Sequence, residues 1–592
     1  MDSIGGAGVG VAARFPTQQI YENSRLLVAC DADLTNQDEL QKLIGRQEET
    51  AGDAATAALL AGLYQRFGTG FFEKLLGGFS VVLWDRQERK MLAAIDGFGI
   101  GRLVYHQSGS GLFVASRIDA LTRSGMELKI NPRCIANYLN FSSNLAPETV
   151  FTTVHRLPPG TILIAQEGKT RIEPYWDMRY GTGTETDEAL LSLELESVIE
   201  RAVAVHCKND AFSRLGAFLS GGTDSSTVVG MMSRMKKGRV KTFSIGYQEQ
   251  DFNELGYAQI AADRFQADHH TYLVGANDCM EALPGIVRYF DEPFGNSSAI
   301  PTYFCAKLAA DNGVKVLLAG DGGDELFGGN ERYLTDKVFG VYQKAPALLR
   351  KGLIEPALRL LPFHRGLFRK AHRYVHRANL PPIERYLSGQ FLLANEPQSI
   401  FQPDFLAGLN GYSGIDIPSS HYAHAPASDH LDRLLYVDVK ITLADNDLPK
   451  VTCATELAGI QTRFPFLDRA VAEFSGSVPA RLKVKGTEKR YLFKRALRDL
   501  LPIEIIKKKK HGFGIPVATW MKSNPQMHAL TRDTLISDRA FGRGYFERKP
   551  IEHLFHMLET TDDSPYYGDI LWMFLLLELW HQRVVDAPVR MA

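Results

Sequence analysis

An apolar run from Leu215 to Leu219 empties into Ser220-Gly221-Gly222-Thr223-Asp224-Ser225-Ser226, and this constrains the chain more than any other stretch. The run reads as a buried strand and the residues from Ser225 onward as a helix. Two adjacent glycines between them let backbone N–H groups approach an anion closely, and the helix start adds partial positive charge. The loop lacks the lysine of a Walker P-loop. Asp224 offers instead a hard oxygen ligand for Mg²⁺ beside bound phosphates.

A second stretch repeats the pattern. Lys315-Val316-Leu317-Leu318-Ala319 runs into Gly320-Asp321-Gly322-Gly323-Asp324-Glu325, with Gly328 and Gly329 close behind. Three carboxylates among glycines are costly unless a cation or ligand uses them. Two such strand ends in one parallel sheet face each other across a crevice at its carboxyl edge.

These residues carry a resemblance. S-G-G-T-D-S-S resembles the PP-loop of ATP pyrophosphatases. With A-G-D-G-G-D-E-L-F-G-G it is similar to the synthetase domain of asparagine synthetase B and its relatives. Asp291-Glu292-Pro293-Phe294, Arg463-Phe464-Pro465-Phe466-Leu467-Asp468 and Lys508-Lys509-Lys510-His511-Gly512-Phe513-Gly514 extend the match in the family's order.

The resemblance implies that Ser220, Gly221, Gly222, Thr223, Asp224 and Ser225 cradle the pyrophosphate of ATP. Leu219, Ile245 and Gly320 line the adenosine pocket, and Asp224 and Asp324 ligate Mg²⁺. Lys510 stabilises the activated intermediate; it is chosen from Lys507–Lys510 because it lies three residues before Phe513. Asp321 stands where asparagine synthetases commonly have Glu and β-lactam synthetase has Tyr, so it is expected to take a proton from an attacking amine or to position substrate. Gln461 replaces a glutamate that often precedes the R-x-P-F-L-D segment and that β-lactam synthetase pairs with its Tyr. Asp291, Glu292 and Asp445-Asn446-Asp447 are candidates for closing the substrate pocket, the last three also for capping a helix.

At 592 residues, two domains are expected. To about Tyr180 the chain is strand-rich, with strands at 77–85, 90–96 and 112–116 and a helix over 51–67. Its order resembles the family's glutaminase domain, an α+β Ntn-hydrolase-like fold, assigned to residues 1–180. Gly181 to Asp187 is a linker candidate. From Glu188, strands at 216–219, 240–245, 270–274 and 314–318 alternate with helices, which predicts a doubly wound parallel sheet. Beyond Gly329 the chain turns mostly helical, and residues 190–592 are assigned to the synthetase domain. Residues 344–377 hold nine Lys and Arg among leucines and aromatics, either a solvated face over the core or a dock for an acidic partner, peptide or membrane surface.

A net charge of −1 argues against nucleic acid as the main partner. No apolar stretch is long enough to span a bilayer. Six scattered cysteines form no C-x-x-C pair, and the opening residues lack a basic segment followed by an apolar one, so reduced thiols and a cytoplasmic location are expected.

The family's glutaminase uses a cysteine exposed as residue one. Here Met1 is followed by Asp2, and the earliest cysteine is Cys30. The R-G-P-D segment has no counterpart, and N-G-E-I-Y-N is represented by Asp31-Ala32-Asp33-Leu34-Thr35-Asn36. The expectation is a front domain without glutaminase activity and a synthetase half that uses ATP and Mg²⁺ to activate a carboxylate as an acyl-adenylate. The acyl partner is a small molecule or a peptide, the nitrogen an amine or ammonia, and a peptide-processing partner protein is one implied associate. Three readings follow: a macrolactam-forming ligase similar to lasso-peptide cyclases, an amide synthetase acting on aspartate or a sugar acid, and a silent ATP-binding scaffold.

Overall fold

The structure is a computed structural model and describes residues 8–45, 54–109, 111–122, 129–208, 210–359, 366–395, 397–509, 512–562 and 564–586. The front part holds nine strands: β1 Gln18–Glu22, β2 Leu26–Leu34, β3 Gly77–Asp85, β4 Lys90–Ile95, β5 Val104–Ser108, β6 Gly111–Ala115, β7 Val154–Arg156, β8 Thr161–Gln166 and β9 Lys169–Pro174. They form an antiparallel sheet ordered β1-β2-β3-β4-β8-β9 and a smaller one ordered β6-β5-β7. Alternation along β2 and β3 sends Leu26, Val28, Phe79, Val81 and Leu83 into a core shared with the helix Ala55–Phe67. Residues 181–187 are exposed throughout, and Asp187 then caps the helix Glu188–His206 by accepting from the N–H groups of Ala189 and Leu190 at 2.7 and 3.0 Å.

The second part is built on five parallel strands: β10 Leu215–Phe218, β11 Lys241–Gly246, β12 Asp268–Leu273, β13 Val316–Leu318 and β14 Gln461–Arg463. Their order is β12-β11-β10-β13-β14. Its middle strands β10, β11 and β13 are buried on both faces, while the edge strand β12 is exposed from Thr271 to Leu273. Leu215, Ala217, Val316 and Leu318 pack in one core with the helices Glu188–His206 and Thr223–Arg234, while Phe243, Ile245 and Leu317 face a second core with Ala276–Tyr289 and Ala299–Asp311. Strand order reverses between β10 and β13, the switch point where an open α/β sheet leaves its crevice. No helix among the described residues is long and apolar enough to cross a membrane.

Candidate active site

Both glycine loops leave the carboxyl ends of the two central strands. Ala217 pairs with Leu318, so the loops start side by side. Gly221 has φ +67°, and a Cβ there would lie 2.4 Å from the carbonyl carbon of Tyr257. Only glycine lets the chain turn that tightly against the neighbouring helix. Gly222 then caps Thr223–Arg234, whose first N–H groups face the crevice end of the sheet. Ser220 Oγ and Ser225 Oγ lie 3.1 Å apart and brace the turn. Gly320 closes the other side, since a Cβ on it would sit 2.8 Å from the amide nitrogen of Ser225.

Asp224 and Asp324 converge on one guanidinium. Arg490 donates from Nη1 to Asp224 Oδ1 at 2.5 Å and from Nη2 to Asp224 Oδ2 at 2.7 Å, and its Nη2 lies 2.6 Å from Asp324 Oδ1. It also donates to Thr223 Oγ1 at 2.6 Å. Burial opposes its charge, but the two carboxylates outweigh burial and hold it above its ordinary pKa. Its Nε is buried without a partner. Room for the carboxylates comes from glycines: a Cβ on Gly323 would lie 2.4 Å from Asp224 Oδ1, and one on Gly329 only 1.6 Å from Asp324 Oδ1. Among the described residues no cluster of three or more His, Cys, Asp or Glu side chains gathers at one point. Two converging carboxylates fit Mg²⁺, which takes one or two from the protein and the rest from phosphates and water.

Of the three residues expected around the adenosine, Leu219 and Ile245 line one pocket with Ser244, Tyr247, Leu255 and Phe513, and Gly320 is not in that lining. The Tyr247 hydroxyl is buried there without a hydrogen-bond partner. Lys510 lies outside the described residues. Lys507 and Lys509 are exposed, and Lys508 turns inward. Lys508 Nζ donates to the Ser220 carbonyl at 3.2 Å and lies 3.0 Å from Glu254 Oε1, and burial lowers its pKa.

Asp321 has a partner that the sequence reading missed. Lys450 Nζ lies 3.4 Å from Asp321 Oδ1 and 2.8 Å from Asp447 Oδ1. Gln461 is not there. It opens β14 opposite Val316, at the amino end of β13, and bonds Thr17 Oγ1 at 2.9 Å. Arg490 was also missed. It belongs to none of the glycine- and carboxylate-rich stretches that the sequence singles out, and the fold brings it to the loops.

Three of the pocket-closing candidates join the two parts of the molecule instead. Asp291 accepts from Arg117 at 2.7 Å and from the Ile118 N–H at 2.9 Å. Glu292 accepts from Asn144 Nδ2 and the Val150 N–H, both at 2.8 Å, and pairs with Arg156. Arg156 also reaches Asp445 at 2.9 Å. Burial pushes Asp445 up to about 6, with Arg156 opposing. An acid raised on folding stabilises below its unfolded value, near 3.8, and loses that contribution as pH climbs through about 6. Asp445→Asn removes the dependence, so its Tm deficit against the parent should be larger at pH 4.5 than at pH 7.5, measured by calorimetry.

Comparison with known proteins agrees with this architecture. The asparagine synthase family model matches residues 194–582, and the glutamine amidotransferase domain model matches residues 13–176. The chain is 30% identical over 568 residues to a putative glutamine-hydrolysing asparagine synthetase of Mycobacterium tuberculosis (93% of this chain, 83% of the relative). It is 25% identical over 569 residues to asparagine synthetase 1 of Bacillus subtilis (96% and 87%), and 23% identical over 497 residues to amidase chry2 of Gibberella zeae (78% and 73%). With two glycine loops, two converging carboxylates and matches that run through both parts, the chain belongs to the asparagine synthase family and is an ATP-dependent carbon–nitrogen ligase.

Proposed function

We propose that this ligase activates a substrate carboxylate by attack on the α-phosphorus of ATP, releasing pyrophosphate, and passes the acyl group to an amine without drawing nitrogen from glutamine. The observation that carries the first half is the meeting of Asp224, Asp324 and Arg490 beneath the two glycine loops. The helix start and Arg490 bind the phosphates. Asp224 and Asp324 would hold Mg²⁺, which supplies positive charge where negative charge builds on phosphate oxygens. Leu219 and Ile245 hold the nucleoside, Asp321 receives a proton from the amine, and Lys510 is assigned to the activated acyl group.

The second half of the proposal rests on thiols and carboxylates. All six cysteines are buried. Burial drives the Cys30 thiol to about 12 and Cys207 to about 11, so neither supplies a thiolate near neutral pH. Asp31 and Asp33, in the segment that stands for N-G-E-I-Y-N, are engaged by Gln18 and Arg463. Nitrogen then comes from an amine on the substrate, and macrolactam formation in a peptide is the reading adopted. A surface suited to a peptide supports it: Val341, Leu348 and Leu353 are 65%, 88% and 62% exposed, beside exposed Lys344 and Lys351. The free, buried thiols suit a reducing, cytoplasmic setting.

Exchange of labelled pyrophosphate into ATP tests activation, with aspartate, sugar acids and candidate peptides offered in parallel. A peptide that supports exchange and then loses the mass of one water fits the proposal. Turnover of aspartate with ammonia replaces it with asparagine synthesis, and glutamate release from glutamine overturns the second half.

A further inference from the structure

Lys450 belongs to no motif noted in the sequence, yet it bridges the proposed site to the segment before it. Asp321 stands one residue past Gly320, on the loop that leaves β13. Lys450 comes from the first turn of the helix Leu448–Leu457, and Asp447 ends the segment immediately before that helix. All three side chains are largely buried, at 13% exposure for Lys450, 23% for Asp321 and 26% for Asp447.

The two contacts are unequal. At 2.8 Å, Lys450–Asp447 is an ordinary charge-assisted hydrogen bond, while 3.4 Å to Asp321 is longer than such bonds run. Asp447 therefore fixes the lysine in place, and the lysine attracts Asp321 without saturating it. We propose that Lys450 is a positioning residue that holds Asp321 ionised and turned toward the loops, ready to take the proton of the attacking amine; this rests on the function proposed above.

The electrostatics agree in sign. Burial raises the Asp321 carboxyl, Lys450 pulls it down and Asp447 pushes it up, and the balance leaves it above the ordinary carboxylate range. The charged groups that act on it are Lys450, on the adjoining helix, and Asp447, just before that helix. A carboxylate raised above its ordinary range is the stronger base, which is what proton removal from an amine needs. The step balances. The ammonium gives one proton to Asp321 and the nitrogen forms the C–N bond. The acyl carbon–oxygen bond to AMP breaks, and the departing phosphate takes the second proton.

Opposite shifts test the arrangement. Coupling of Asp321 to glycinamide by a water-soluble carbodiimide, followed against pH by peptide mass spectrometry on the full chain, reports the protonated carboxyl. Lys450→Met should raise the midpoint by about one pH unit or more, Asp447→Asn should lower it by freeing the lysine for Asp321, and Lys450→Arg should stay near the parent. A midpoint that does not move, or one that moves the same way in Lys450→Met and Asp447→Asn, overturns the proposal. This titration needs no substrate. A chain that activates none of the carboxylates offered defeats the functional reading alone. With an active acyl partner, Lys450→Met should slow capture by an alkylamine about 100-fold, far more than it slows pyrophosphate exchange. Hydroxylamine, neutral at the assay pH, should recover most of the loss; equal losses with both nucleophiles overturn the proposal.

Discussion

Asp224→Asn and Asp324→Asn should each lower pyrophosphate exchange by about 10²–10³-fold, the loss typical when one element of transition-state charge stabilisation is removed. Arg490→Met should act on exchange by a similar factor, and it carries a second signature. The guanidinium lies within 2.7 Å of both carboxylates and is itself buried. Removing the cation from such a pair costs about 3–5 kcal/mol, because charge is left in a poorly solvated place. In metal-free buffer Arg490→Met should therefore melt well below the parent. Added Mg²⁺ should raise its Tm more than it raises the parent's, since in the parent the metal competes with a guanidinium already seated between the carboxylates. Mg²⁺ that stabilises both equally, with exchange intact, would mean that the two aspartates are not the metal ligands. Stability and exchange are separate readouts, so a variant that folds poorly still reports on the metal.

The middle of the sheet was legible from sequence because β10, β11 and β13 are buried on both faces. Leu215–Phe218 and Val316–Leu318 read as apolar runs, and each stops at a glycine cluster that only a tight turn explains. β14 was hidden: Gln461-Thr462-Arg463 is polar, and it is a strand because Val316, Leu317 and Leu318 offer it a parallel edge. The ligand loops were visible for the same reason as the strands, since glycine and aspartate at fixed spacing leave a local signature. Arg490 and Lys450 leave none. Lys450 sits in a helix and Arg490 in the left-handed turn that joins the strand Glu488–Lys489 to the helix Tyr491–Ala496, and contacts across 129 and 266 positions of sequence bring them to the site. Asp291 and Asp445 show the converse error. A carboxylate inside a motif looks like a ligand, and here Arg117 and Arg156 from the front part take both.

Arg463→Met should strongly destabilise the junction of the two parts. Arg463 is 9% exposed and belongs to the R-F-P-F-L-D segment. Its Nε donates to Asp33 Oδ2 at 2.6 Å, its Nη2 lies 2.8 Å from Asp210, and its Nη1 donates to the His206 carbonyl at 2.7 Å. One guanidinium thus ties β14 to β2 of the front sheet and to the end of the helix Glu188–His206. These groups border a cavity of about 160 Å³ that Thr17, Asp31 and Gln461 also line. The partner carboxylates are 29% and 21% exposed, so solvent access softens their loss. A cost of about 2–4 kcal/mol follows, somewhat below that of a fully enclosed pair. Asp33→Asn in the Arg463→Met background should return part of it, because the stranded charge is then gone, and a double-mutant cycle by urea denaturation measures the coupling. Additive losses would mean that Asp33 and Arg463 do not act as a pair. A favourable coupling would explain why a carboxylate occupies position 33: it fastens the front sheet to the ligase.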